Sequence, residues 1–387
     1  MGSTKELLTW SGQMPGLPNL PHFAMGFGNG SIVDKIPADM LFLVDRHWNQ
    51  FPPLDTLTYM ILGVFIIVAG MISVIGNGMV MYIFLTTRTL RTPSNLLVIN
   101  LAFSDFLMMF GMFPFMAVSS FYEVWAFGPL ACQIYGFVGN LSGCMSIWSL
   151  AMIAIDRYNV IVRGISAQPM TYCRAAGYIA YANISSLAWC IVPLFGWGRY
   201  VPEGNMTVCG TDSVSDDWNN KSYVVIYSVW VYFVPLFIFI FCYSAIVRAV
   251  ANHEHQMREQ AKKMNVQSLR SADSNKASAE IKLAKIALMT ITLWFIAWTP
   301  YLVINIQGQI DKNSVTPLFT VWGSVFAKCA AVYNPIVYGI SHPKYRTALA
   351  ERFPWMVCGS TKNDDTVSNA TTEGSTTEKG DEEENKV

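Results

Sequence analysis

Apolar stretches long enough to cross about 30 Å of hydrocarbon recur along the chain, separated by short polar connections. They run over Leu57–Leu85, Leu96–Val118, Cys132–Ile155, Ala175–Phe195, Tyr223–Val247, Ile286–Ile306 and Leu318–Ile340. A bilayer core offers no water to backbone N–H and C=O groups, so segments of this length read as helices. The pattern predicts an all-α membrane protein, a seven-transmembrane helix bundle over residues 57–340. Residues 1–56 are expected to form an extracellular segment; within it Met1–Gln50 is polar and broken by Gly and Pro, without the apolar core of a signal peptide, so the first span is expected to direct insertion. Residues 341–356 predict a short amphipathic helix. Residues 357–387 turn Ser/Thr-, Gly- and Glu-rich and predict a disordered tail.

Composition agrees with this setting. Hydrophobic residues make up 52% and charged residues only 13%, about half the share usual in soluble domains. A net charge of zero argues against nucleic acid as a partner. Arg88, Arg91, Arg163 and Arg174, the basic residues between Arg248 and Lys285, and Lys344, Arg346 and Arg352 all fall on one side of the bundle. The loops on the other side offer only Arg199, Lys221 and Lys312. The rich side is therefore expected to be cytoplasmic, with the N-terminus extracellular, the C-terminus inside and the protein in the plasma membrane.

Sidedness sorts the eight cysteines. Cys132, at the outer end of the third span, and Cys209, in the next outer loop, share an oxidising compartment and are the candidate disulfide pair. Cys358 follows the amphipathic stretch inside and is a candidate for palmitoylation. Asn29 opens a glycosylation sequon on the outer side, as do Asn205 and Asn220.

One charge stands inside the last span. Lys328 has about ten apolar or small residues on either side, roughly 15 Å each way, too far for an easy reach to the headgroups. Burying an ammonium there costs on the order of 2.5–3.5 kcal/mol, which marks the residue as a functional candidate. A desolvated amine is also a nucleophile toward carbonyl carbon. Asn77, Asp105 and Asn334 lie in the inner halves of the first, second and last spans and are expected to satisfy one another. Pro235, Pro300 and Pro335 predict kinks. Asp156-Arg157-Tyr158 closes the third span at the cytoplasmic edge, where acid and arginine can pair and hold the inner end shut.

These motifs together, Leu101-Ala102-Phe103-Ser104-Asp105, Asp156-Arg157-Tyr158, Trp298-Thr299-Pro300 and Asn334-Pro335-Ile336-Val337-Tyr338, each in its own span, resemble the rhodopsin-like class of G-protein-coupled receptors from about Leu57 to Phe353. Lys328, six residues before Asn334, narrows the resemblance to opsins, whose last-helix lysine holds retinal, 11-cis or a variant, as a Schiff base. Vertebrate visual opsins carry a glutamate three residues after the third-span cysteine; here that residue is Tyr135. The resemblance to invertebrate opsins moves the counterion role to Glu203, six residues before Cys209, with Tyr135 as a candidate hydrogen-bond partner. An ion pair between Glu203 and Arg199 is the alternative. Tyr135, Gly139 and Gly143 repeat on one helix face and predict a slot for something flat. Tyr232, Trp298 and Tyr301 are candidate walls of a retinal pocket.

His342-Pro343-Lys344-Tyr345-Arg346 and the charged third cytoplasmic loop, with Met264-Asn265-Val266 in it, resemble the rhabdomeric opsins of arthropods. That resemblance implies a visual receptor rather than an enzyme, in photoreceptor microvilli, signalling through a Gq-type protein. It also implies arrestin and a receptor kinase acting on the Ser/Thr tail, with membrane lipids as further partners. A retinal photoisomerase shares Lys328 and stays open as an alternative. A light-driven pump needs relay carboxylates, and Cys132–Ile155 has none.

Overall fold

The computed structural model describes residues 30–166, 168–263 and 272–356. Expectations for Asn29, for Met264, Asn265 and Val266, and for Cys358 and the Ser/Thr tail fall outside that range. Nine α-helices among the described residues carry the fold: α1 Thr56–Thr86, α2 Asn95–Phe121, α3 Gly128–Tyr158, α4 Tyr172–Ile191, α5 Trp218–Ser228, α6 Val234–Lys263, α7 Ala272–Ile310, α8 Pro317–Ser341 and α9 Pro343–Arg352. Their starts have local causes. Asp55, Thr171, Asp217 and Thr316 cap α1, α4, α5 and α8 with side chains that accept early backbone N–H groups. Proline occupies the first turn of α8 and of α9, where no N–H is needed.

Seven spans result because α5 and α6 are halves of one, joined by the π turn Val229–Phe233. Pro235 is the cause. Its ring clashes with the carbonyl four residues back and it offers no N–H, so the ladder shifts register there. The kink expected at Pro235 is therefore a π turn just before it. Pro114 lies inside α2, which runs as one helix from Asn95 to Phe121 around it. On the inner side α6 and α7 extend well beyond the apolar segments that predict them.

Large apolar side chains point outward, as on Leu57, Ile61, Val64 and Val68 of α1, while Ile66, Ala69, Ser73 and Asn77 face inward and are buried. This inverted pattern suits a lipid surround. Six of the spans are long and apolar enough by themselves to cross a membrane; α8 falls short. The reason is its inner face, where Thr320, Ser324, Lys328 and Asn334 are all buried. At the centre, α3 packs against α2, α4, α6 and α7.

Two short strands close the outer end. β1 Tyr200–Pro202 and β2 Cys209–Thr211 pair antiparallel, with Pro202 opposite Cys209. The Cys132–Cys209 disulfide, Cα–Cα 5.4 Å, fastens the hairpin to the top of α3. Residues from Ile32 onward pack into the same outer core, Met40, Leu43 and Trp48 lying with Val201, Met206 and Val208. Asn205 and Asn220 are corrected as glycan acceptors. Both are buried, and their amides donate to Thr207 Oγ1 and to the Asp212 carbonyl. At the inner end, His342 caps α9 by accepting the Tyr345 N–H at 3.2 Å, and Tyr345 stacks on Phe84 at 5.8 Å. Burial pushes the His342 imidazole down to about 4.

Candidate functional site

Lys328 lies buried in α8 with its Nζ donating to Ser324 Oγ at 2.6 Å. Ser324 stands one turn earlier on the same face, so the helix itself supplies this partner. The Tyr135 ring of α3 lies below the ammonium, 5.9 Å from Nζ to centroid. Tyr135 Oη is buried without a hydrogen-bond partner in the protein, so the bond expected of it is not made to a side chain.

A chamber of about 370 Å³ opens beside Lys328, lined by Gly139, Met112, Glu203, Gly210 and Ser324 among others. A second hollow of about 500 Å³ lies toward α5 and α6, lined by Gly143, Cys144, Tyr227, Tyr232, Trp294 and Asn305. Asn140, Trp298 and Tyr301 line both. The paired hollows give an elongated slot with a lysine at one end and Tyr227, Tyr232, Trp294, Trp298 and Tyr301 in its walls.

Glu203 reaches this chamber from above. It follows β1, its N–H donates to the Val208 carbonyl at 2.9 Å, and its Oε1 accepts from Tyr301 Oη at 3.1 Å. Oε2 is buried without a protein partner. Burial pushes the carboxyl up, outweighing the opposing pull of the Lys328 charge. Glu203 and Lys328 face one chamber without an ion pair or hydrogen bond between them. The alternative pairing with Arg199 is not made: that guanidinium bonds Asp212 at 2.5 Å and also Ser215. Gly210 makes room, since a Cβ there would stand 2.0 Å from Glu203 Oε1 and 2.6 Å from Tyr301 Oη.

Trp298 forms the floor where the hollows meet. It stacks on Trp294 at 5.3 Å and stands perpendicular to Tyr301. Gly143 permits that position, because a Cβ there would come within 2.5 Å of the indole. Gly139 faces Met112 in the same way, one turn above. Tyr232 bonds Thr299 at 2.7 Å and packs edge-on against Phe295, so it lines the second hollow through a contact with α7.

Farther from Glu203 along the bundle, Asp105 accepts from Asn334 at 2.5 Å and from Ser146 at 3.1 Å. Asn77 does not join them directly. Its amide donates to the Ala331 carbonyl at 2.8 Å and to Ser73, which ties α1 to α8 instead. Pro335 packs close against Gly76, and Tyr338 lies edge-on to Phe84 at 6.3 Å. Arg157 pairs with Asp156, as expected, and also bonds Glu280 of α7 at 2.5 Å. Tyr158 packs on Phe241 at 5.4 Å.

Four contributors escaped sequence reasoning. Ser324 was recoverable from its four-residue spacing to Lys328 on the inward face. Asn140 accepts from Thr211 across the top of the slot at 3.2 Å, a contact between distant segments with no local signal. Gly210 and Glu280 act by close approach and by reach from another helix, which spacing does not encode.

Residues 76–338 match the family pattern "7 transmembrane receptor (rhodopsin family)". A rhodopsin of Cataglyphis bombycina is 61% identical over 92% of this chain and 94% of its own. Opsin-1 of Schistocerca gregaria is 59% identical over 90% and 92%, and the long-wavelength rhodopsin of Apis mellifera 56% identical over 95% and 98%. The crystal structure of squid rhodopsin superposes with a TM-score of 0.77 at 40% identity, covering 81% of this chain and 91% of that one. On its buried lysine, its bundle and these likenesses, the chain belongs to the rhodopsin family of seven-transmembrane, G-protein-coupled receptors, among the arthropod visual opsins.

Proposed function

We propose that the slot holds retinal on Lys328, with Glu203 as the counter-charge, and that light absorbed there drives signalling to a Gq-type protein. One observation carries the reading: a buried amine and a buried carboxylate oxygen line the same chamber, with Trp298 and Tyr301 in its wall. The residues suit the group. The amine is the attachment atom, the slot between the aromatic walls takes a flat polyene, and Tyr135 Oη and Glu203 Oε2 are polar atoms with no other protein partner. Lys328 would hold retinal as an imine formed with loss of water, and the bound group would supply light absorption and isomerisation.

The chain's own residues do the rest. Glu203, held by Tyr301, neutralises the positive charge from the outer side, where a fully separated ion would be costly. Trp298 bars the inner side of the slot, and its neighbour Pro300 weakens α7 locally, so a change in ligand shape is delivered to a helix already prepared to bend. Movement of α7 pulls Glu280 from Arg157 and opens a cytoplasmic cleft for the G protein. Asp105, Asn334, Pro335 and Tyr338 form the hinge between slot and cleft. Residues 1–56 face the outside, 57–340 span the membrane and 341–356 lie along the cytoplasmic surface, in a photoreceptor microvillus. A counter-charge set in the loop rather than on α3 goes with a photoproduct that keeps its charge and that light returns to the starting pigment.

The test is an absorption spectrum of the purified chain with 11-cis-retinal before and after illumination, followed by nucleotide exchange on Gq. A visible band that changes with light and starts exchange supports the reading. Absence of the band removes retinal; a band without exchange removes the coupling.

A further inference from the structure

The turn that carries Glu203 is clasped from several sides. Tyr59 Oη of α1 donates to the Asn205 carbonyl at 3.2 Å, and the Trp125 N–H donates to the Met206 carbonyl at 2.6 Å. The third clasp is a side chain from the segment ahead of α1. A Cβ built on Gly204 would stand 2.6 Å from the Trp48 ring and 2.7 Å from Thr320 Oγ1, so indole, turn backbone and α8 meet at one point. Thr320, Ser324 and Lys328 follow one another at four-residue steps along one face of α8, which sets the Trp48 contact two turns outside the amine.

Trp48 is itself held rigidly. It is 2% exposed, lies edge-on to His47 at 4.8 Å and packs against Phe51. Its turn, Arg46–Gln50, is capped by Asp45 and tied to the loop ahead of α8 by a 2.8 Å bond between His47 Nε2 and the Val315 carbonyl. The Ile32 N–H donates to the Phe51 carbonyl at 2.9 Å and fixes the far side of the segment. A large flat side chain, immobilised from both flanks, thus fills the gap between the residue next to Glu203 and the outer end of the lysine helix.

We propose that Trp48 is a positioning residue, a fixed stopper that seats the Glu203 turn and keeps bulk water from the chamber of Lys328 and Glu203. The inference rests on the reading of Lys328 as the retinal attachment. Excluding water strengthens the attraction between the two charges and protects the linkage from hydrolysis.

Hydroxylamine reads this directly, because it takes retinal off the lysine as the oxime and must first reach the chamber. The full-length chain and its variants are loaded with 11-cis-retinal, and loss of the visible band in the dark is followed after hydroxylamine is added. Trp48→Ala is expected to lose its band about tenfold faster or more, because the barrier to local opening is lowered. Trp48→Phe is expected to recover most of the protection, and Trp218→Ala, a control 81% exposed, to match the unaltered chain. Where Trp48→Ala forms no pigment, Trp48→Leu and Gly204→Ala are read in the same way, the latter because its methyl displaces the indole. Unchanged hydroxylamine kinetics in the variants that form pigment overturn the stopper alone. Failure of the unaltered chain to form any pigment removes the retinal reading and the stopper with it.

Discussion

Tyr301 Oη of α7 donates to Glu203 Oε1 at 3.1 Å, so a carboxylate lining the lysine chamber is held by a residue three positions from Trp298. The counter-charge and the side chain expected to sense ligand shape are thereby anchored to the same turn of helix. Glu203→Gln is expected to lose the visible band at a lower pH than the unaltered chain, by about one to three units. The sign follows because a nearby anion favours the positively charged linkage, and the amide removes that anion. Tyr301→Phe is expected to shift the transition less, since the carboxylate remains. A spectral titration of both variants decides it; coincident curves for Glu203→Gln and the unaltered chain remove Glu203 from the role.

Lys328→Ala is expected to form no visible pigment and to show no light-dependent nucleotide exchange, while remaining folded. A persisting band after retinal addition places the attachment on another residue.

Gly143→Ala puts a methyl group where the Trp298 ring already lies, 2.5 Å from it. Overpacking of this kind costs typically about 1–3 kcal/mol. A lower thermal stability in the dark and a shifted absorption band are expected, and Trp298→Phe in the same chain should restore part of the loss. Unaltered melting and spectrum show that the indole is free to move away.

Glu280→Gln removes one partner of Arg157 and leaves Asp156. Glu280 is partly exposed, so the pair is worth about 1 kcal/mol, or about fivefold in the population of the open cytoplasmic form. Basal nucleotide exchange in the dark should rise by about that factor. Equal basal rates show that the contact does not hold the inner end closed.

His342 is pushed by burial from an ordinary 6.5 down to about 4 in the folded chain. Between these values the unfolded segment binds a proton that the docked imidazole refuses, so stability rises with pH there. The capping contribution is fully present above 6.5 and is lost as pH falls toward 4. Fluorescence of Trp355, just past α9 and largely exposed, or hydrogen exchange of α9 amides, should report loosening in that window and no such change in His342→Asn. A pH-independent α9 in the unaltered chain refutes the prediction.

Much of this receptor was legible before any coordinate. Spans of membrane length, the sidedness of Lys and Arg, the Cys132–Cys209 pair and the isolation of Lys328 are properties of composition and spacing, which water and hydrocarbon act on directly. The hairpin between α4 and α5 was not legible, because three-residue strands carry no periodicity. Nor was the packing of residues 30–55, whose Pro-broken sequence without a regular period reads as a loose segment until Met40, Leu43 and Trp48 are seen filling the outer core. Asn77 illustrates the same limit, its depth in the first span being clear and its partner, a carbonyl of α8, being set by helix packing.

By itself the sequence determined which side chains are too polar for their surroundings: Lys328, Asp105, Asn334 and the Asp156-Arg157 pair must find partners because hydrocarbon offers none. Which partners they find was decided only by the tertiary structure. Ser324 holds the amine, Tyr301 holds Glu203, Asp212 draws Arg199 away, and Glu280 reaches Arg157 from a distant helix. The physical reason is range: desolvation acts on each residue where it stands in the chain, whereas hydrogen bonds and ion pairs act over about 3–4 Å between segments that only folding brings together.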